Sequence, residues 1–516
     1  MNSFLKKFEG KINGVLSGFD RLIFHGGIRS LMYESGMATY LYTRGVFLKD
    51  FKDFAPHCSH LLKTRTEANS LTQGRPFLFL SGGGESKEKR AEAIAQKDGI
   101  KTGLICNFSA LEKCNSYKVV GNRATQKLEL KFYPTKCLHI YHYWVDPEFG
   151  LMHARIQSWF PFRIQIYCNG KRWLANQMQR QGIDFIQRDN CFTWVSDLDK
   201  ANELVQKQIS FNFSKTFDRI AQKINPIFNE LFPQGEKYYW TLSQSEWAQD
   251  TLFKTTANLD EVYKDFVRHG MLIFNSPDVI RFLQQKLTKD GGINGHFKGE
   301  VVSDFKNRQE GIRIKHSVAT NSVKFYNKAG SVFRIEATIN DPSDFKVYRP
   351  NINTDELQWQ QMRKSIYDIE RRAKVSQRIT EDYAENLSLT DINEELYQLI
   401  APTQARKQVG KQIIRGLDPL GKDREILKTI IDGKFFINGF RNKDIRKIYF
   451  GDLTQDKNKK NAGKISRMLK ILKTHGIIKK INKTHRYEIT KKGIQIITAL
   501  NIFETTKVAT LLKLAV

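Results

Sequence analysis

The chain has no apolar run of about 18 residues, the length a membrane-spanning helix needs, and its start, MNSFLKKFEGKINGV, lacks the apolar run of a secretory signal. A membrane partner is therefore not expected. Its six cysteines (58, 106, 114, 137, 168 and 191) form no CxxC pair and no zinc-ligand spacing. They read as reduced thiols, which points to a cytoplasmic protein. Acidic residues are also short in number: 54 Asp and Glu face 83 Lys and Arg, a formal charge of +29. A field of that sign favours a polyanion, and nucleic acid is the usual one.

What is present comes in blocks. At 516 residues the chain exceeds a single core, and four segments are expected. Residues 1–130 read as a mixed α/β unit, 131–345 as an α+β sheet core, 346–418 as a helical arm, and 419–516 as a nucleic-acid module. The expected fold class is α+β, with a central, mostly antiparallel sheet. Residues 401–516 alone carry about +18, so the basic excess is concentrated near the C-terminus.

In the first block PFLFL (Pro76–Leu80) reads as a buried strand running into Gly82-Gly83-Gly84 and then a helix. The triplet lacks the GK[ST] ending of a P-loop, so a plain connection is expected. The second block is rich in aromatics. Tyr141, Tyr143, Trp144, Trp159, Phe160 and Phe162 lie among Arg155, Arg163, Lys171 and Arg172, which suits either base stacking or a core. His139 and His142 have two residues between them, which on a strand sends the rings to opposite faces and argues against a shared metal.

Two segments carry candidate chemistry. Asn321–Asn340, NSVKFYNKAGSVFRIEATIN, reads as two strands around a turn. Phe333, Ile335, Ala337 and Ile339 form an apolar face, and Lys324, Tyr326, Arg334 and Glu336 a polar one. Such a face suits metal-dependent phosphate chemistry or a solvated hairpin. SQSEWAQD (Ser243–Asp250) reads as a strand with Glu246 and Asp250 on one face, roughly 13 Å apart if regular. A three-residue turn Lys328-Ala329-Gly330 pairs Tyr326 with Val332 and leaves Glu336 roughly 13 Å from Tyr326.

The pieces SQSEWAQD, VKFYNK (Val323–Lys328) and FRIE (Phe333–Glu336) resemble the Rep-trans initiators of rolling-circle plasmids and the filamentous-phage gene II endonucleases. The resemblance implies that Glu246, Asp250 and Glu336 bind Mg²⁺ or Mn²⁺. It also implies that Tyr326 attacks a DNA phosphate to leave a 5′-phosphotyrosyl link. Lys324 and Arg334 would contact the backbone. The long insertion those initiators carry between the two strands is absent here.

Near the C-terminus, Asp423–Ile431, Arg441–Tyr449 and Ala462–Thr474 read as helices, followed by the basic hairpin GIIKKINKTHRYEIT. This order resembles the MarR-like winged-helix family over about residues 420–500. The resemblance implies that Ala462–Thr474, with Lys464, Arg467, Lys470 and Lys473, enters a major groove, while Lys483, His485 and Arg486 lie near the backbone. The expected function is a nucleic-acid-binding protein of a plasmid or mobile element, acting as a metal-dependent endonuclease or nickase. The alternative is a non-catalytic binder or regulator. DNA is the favoured ligand, with a structured RNA as the competing one.

Overall fold

Strand β1 (Ile12–Ile28) runs through the middle of an eleven-stranded sheet and is paired antiparallel on both sides. The computed structural model describes residues 2–81, 86–272, 274, 276–285, 299–351, 353–388, 396–431, 435, 439–451, 455–481 and 484–505. The expected Gly82-Gly83-Gly84 connection and Lys483 lie outside them.

The sheet continues with β2 (Phe77–Phe79), β3 (Gly103–Asn122), β4 (Lys127–Asp146), β5 (Gly150–Gln157) and β6 (Ile164–Asn169). A separate hairpin follows, formed by β7 (Phe185–Arg188) and β8 (Cys191–Val195). The other main-sheet strands are β9 (Tyr238–Phe253), β10 (Val301–Arg308), β11 (Gly311–Val318), β12 (Asn321–Lys328) and β13 (Val332–Ile339). Their order is β10-β11-β12-β13-β9-β1-β6-β5-β4-β3-β2. The fold is α+β, as the sequence implies, and the pair β2–β3 is parallel. No boundary falls at residue 130, because β3 and β4 pair along their length on either side of it.

Burial decides which way the central strands face. Phe19, Leu22 and Phe24 of β1, Ile164 and Ile166 of β6, and Trp240, Leu242 and Trp247 of β9 enter one core. Helices Leu198–Ile209 and Phe213–Ile224 close that core with Leu204, Val205, Phe213 and Phe217. The side chains of Asp197 and Asn212 cap the two helix starts, accepting the backbone N–H of Lys200 and Lys215. Phe160 and Phe162 are fully buried in the same core, so those two aromatics are packing residues and not a stacking platform.

The β12–β13 hairpin differs from its expected register. The turn has three residues, as the face pattern requires, but they are Ala329-Gly330-Ser331, with Ala329 and Gly330 at φ of 54° and 83°. Lys328 pairs with Val332, Tyr326 with Arg334, and Lys324 with Glu336. One step in the turn thus moves each pairing by two residues. All eight residues of β13 are buried, so its polar face is internal and not solvated. The shift brings Tyr326 diagonally next to Glu336, which overturns the expected separation.

The compact units comprise Met1–Lys264 with Asp304–Lys315 and Thr320–Ala384, and separately Asp265–Ser303 with His316–Ala319 and Glu385–Val516. In the second, elements run helix Arg424–Ile430, short strand Phe440–Arg441, helix Asn442–Phe450, helix Gln455–Thr474, strands Ile478–Lys480 and Arg486–Ile489, and helix Lys491–Thr505. Ile465, Leu469 and Leu472 of the long helix enter a core with Ile426, Ile430, Phe440, Ile445 and Ile496. Gly476, at φ 73°, ends that helix. The arm expected to be helical includes a strand, Leu357–Gln361, and helix Ile369–Leu387. Among the described residues no helix is long and apolar enough to cross a membrane.

One close approach positions the rest. Gly170 starts helix Gly170–Arg180, and a Cβ there would lie 2.0 Å from the Phe19 carbonyl oxygen of β1. Only a residue without a side chain lets the helix rest on the strand beside Asp20. Gly170→Ala is expected to displace this helix start and destabilise the fold by ~1–3 kcal/mol, checked by denaturant unfolding against the parent chain.

Candidate metal centre

Asp20 reaches the site through a defect in its strand. Phe19 pairs with Trp247 and Arg21 with Glu246, so Asp20 is the extra residue of a bulge. Bulges re-aim a side chain, and here one turns a carboxylate toward two others. The signal in the sequence is the apolar spacing: Phe19 and Leu22 both enter the core, three apart where a regular strand repeats every two.

Oxygens of Asp20, Glu246 and Glu336 lie within 4.8 Å of one another. Oxygens that share one hard cation at ~2.0–2.6 Å are separated by up to about 5 Å, so the spacing fits. Three carboxylates are the donor set of Mg²⁺ or Mn²⁺, and no sulfur or imidazole competes for softer metals. Asn190, at the tip of the β7–β8 hairpin, donates its Nδ2 to Asp20 Oδ2 at 2.8 Å and Oδ1 at 3.1 Å. Its own Oδ1 is buried without a partner, another hard oxygen beside the acids.

Each acid also faces a cation. Arg21 Nη1 lies 3.7 Å from Glu246 Oε1. Lys324, directly across from Glu336 in the register, places its Nζ against Oε1. The other oxygen of Glu336 accepts from the Tyr326 hydroxyl at 3.0 Å. Arg308 lies over the Tyr326 ring, 5.0 Å from its centroid.

Asp250 does not join this group. Arg334 donates from Nε to Asp250 Oδ1 at 2.6 Å and from Nη2 to Oδ2 at 2.9 Å, while Lys171 donates to Oδ2 at 2.8 Å. Arg334 Nη1 continues to Asp20 Oδ2 at 3.0 Å, and Nη2 to the Asn190 carbonyl at 2.7 Å. Arg334 has no exposed surface. The expectation that it contacts a nucleic-acid backbone is therefore corrected: its donors are spent on Asp20, Asp250 and Asn190. Asp250 is likewise corrected from ligand to ion-pair partner, and Asp20 stands in the place expected for it.

The charges leave a distinct imprint. Burial would raise the Asp250 carboxyl, but Arg334 and Lys171 outweigh it and hold it down at about 2. Glu246 goes the other way: burial and the Glu336 charge push it up to about 7. Asp20 is also raised, by burial against the pull of Arg334. Burial and Glu336 hold the Tyr326 hydroxyl well above its usual value.

The basic residues expected to hold nucleic acid near the C-terminus are in the other unit. Lys464, Arg467, Lys470 and Lys473 are exposed along Gln455–Thr474, and Arg486 is half-buried on its strand. His139 and His142 are buried in β4, and neither belongs to the acid group.

No family model matches this chain, and no curated protein or solved structure is similar to it.

A raised carboxyl fixes a sign. Metal-free native protein keeps a proton on Glu246 up to about pH 7, while the unfolded chain releases it near 4.5. This group therefore lowers stability as pH rises through that window. Glu246→Gln is expected to remove that fall, so that thermal melts in EDTA show the variant gaining on the parent between pH 5 and 7 (roughly that window). Millimolar Mn²⁺ is expected to raise the melting temperature of the parent above pH 7 and to leave the variant nearly unmoved.

Proposed function

We propose that this chain is a metal-dependent DNA nickase of a plasmid or mobile element, with Tyr326 as its nucleophile. The observation that carries the reading is the 3.0 Å hydrogen bond from Tyr326 to Glu336, a member of the convergent acid group. A nucleophile in contact with its base, beside a phosphate-binding cation site, is the arrangement phosphoryl transfer requires. A divalent cation held by Asp20, Glu246 and Glu336 would neutralise the phosphate.

The residues then divide the work. Glu336 Oε2 accepts the phenol proton as Tyr326 Oη attacks phosphorus. The P–O3′ bond breaks, the 3′ oxygen leaves and takes up a proton, and the 5′ phosphate remains on Tyr326. Arg308 and Lys324, placed at the ring and at Glu336, supply charge to the incoming backbone. Arg334 acts through Asp20 and is a positioning residue. The helix–strand–helix–helix–hairpin order of the other unit supports reading it as a winged helix. In that reading Lys464, Arg467, Lys470 and Lys473 hold the duplex.

The paired acids also favour a second reading. Asp20, Glu246 and Glu336 each face an arginine or lysine, which is how a purely structural polar network is neutralised. In that case the chain binds nucleic acid without cutting it.

Supercoiled and single-stranded DNA with Mn²⁺ or Mg²⁺ separates the two. On the catalytic reading nicking leaves a protein–DNA adduct on Tyr326, and Tyr326→Phe, which removes one hydroxyl, lowers cleavage by more than about a thousandfold. Glu336→Gln is expected to do the same. No cleavage with either metal by a folded, DNA-binding parent would leave the structural reading. Reversing Lys464 and Arg467 to Glu is expected to weaken duplex binding about tenfold and reduce its salt dependence, measured by fluorescence anisotropy, while unfolding midpoints stay put.

A further inference from the structure

Where the β3–β4 hairpin passes Leu48–Lys52, a cleft of about 620 Å³ opens, within the ~300–1,000 Å³ range of ligand sites. Strands β6 and β5 separate β4 from β1 in the sheet, so the cleft belongs to a different part of the sheet from the acids. Tyr133 and Trp159 line it. Trp159 is fixed by its neighbours: its Nε1 donates to the Tyr117 carbonyl at 3.4 Å, and the Phe51 ring meets it at 89° with centroids 6.5 Å apart. Tyr117 is anchored in turn by its hydroxyl, which donates to the Leu31 carbonyl at 2.8 Å. The aromatic wall is therefore pre-formed.

The rim is basic. Lys49, Lys52, Lys118 and Lys136 are exposed around the cleft, and no Asp or Glu lines it. Among the described residues none of these four lysines is in an ion pair. Lys131 on the same hairpin behaves differently, lying 3.2 Å from Glu129 and 3.9 Å from Glu34. Lys118 Nζ is 5.7 Å from the Tyr133 ring centroid, which places a cation within reach of a phosphate flanking a base at that ring.

Four uncompensated cations around a concave aromatic wall repel one another until an anion enters. Their number exceeds the charge of a single phosphodiester, and the flat rings offer a face that any base can stack on. We propose that this cleft binds a segment of single-stranded nucleic acid, with a base against Tyr133 and Trp159 and flanking phosphates on the four lysines. The inference is independent of cleavage, because it requires neither the acids nor a metal.

The test uses the full chain in EDTA and a fluorescent oligothymidylate of about twelve nucleotides. The triple variant Lys49→Glu, Lys52→Glu, Lys118→Glu is expected to bind roughly tenfold more weakly and to lower the salt slope by about 2. A control variant with Lys97, Lys207 and Lys223, which are exposed on helices, reversed to Glu is expected to stay within about twofold. Tyr133→Phe keeps the ring and is expected to bind like the parent, whereas Tyr133→Ala loses affinity. A 5-iodouracil version of the strand is expected to cross-link to the peptide containing Tyr133 or Trp159. Equal binding by the two triple variants would overturn the proposal, as would cross-links confined to residues 419–516. Competition by thymidine monophosphate equal to that of the strand, per nucleotide, would assign the cleft to a free nucleotide and overturn it as well.

Discussion

A guanidinium shut away from water holds the centre of this protein together. Arg334 bridges Asp250 on β9, Asp20 on β1 and the hairpin tip at Asn190. A buried charge is tolerated only when its partners are complete, and breaking such a pair costs about 3–5 kcal/mol. The sheet supplies those partners through adjacent positions. Arg334 is opposite Asp250 in the β13–β9 register, and the bulge in β1 turns Asp20 toward the same side. Strand pairing and ion pairing thus select the same arrangement.

That bridge also sorts the carboxylates. Glu246 and Asp250 lie four residues apart on one strand, yet one is pushed up to about 7 and the other held near 2. Asp250 is fully buried and Glu246 partly so, yet it is the more buried acid that is held down; the difference lies in the cations each one meets. Arg334 and Lys171 both donate to Asp250, while Glu246 has the more distant Arg21 and the repulsion of Glu336. The result is an acid that serves the fold beside a group of acids with capacity for a cation.

Periodicity made much of this legible. The alternation in Tyr238–Phe253, Asn321–Lys328 and Val332–Ile339 located three of the strands that build the centre, and helical spacing located Ile465, Leu469 and Leu472. Parity even required an odd turn between β12 and β13. Which three residues formed it was not written in parity, because Ala329 adopts a positive φ beside Gly330, and that step placed Tyr326 away from Glu336. Asp20 was missed for a related reason. A bulge breaks the period that identifies faces, and the partner that exposes the break, Trp247 opposite Phe19, is remote in sequence. Arg334 looked like a surface cation because alternation reports which face a residue is on, and not whether that face is covered.

The bridge between Arg334 and Asp20 joins positions 314 residues apart. During vectorial synthesis β1 therefore leaves the ribosome long before β9 or β13 exists. Its Asp20 has to wait, solvated, while most of the chain is made, since long-range strand pairing closes slowly. A nascent chain that has reached only the early helices contains just one of the three acids, Asp20. Whatever chemistry the acids perform is thereby withheld until the sheet is finished, a delay set by the order of strands alone.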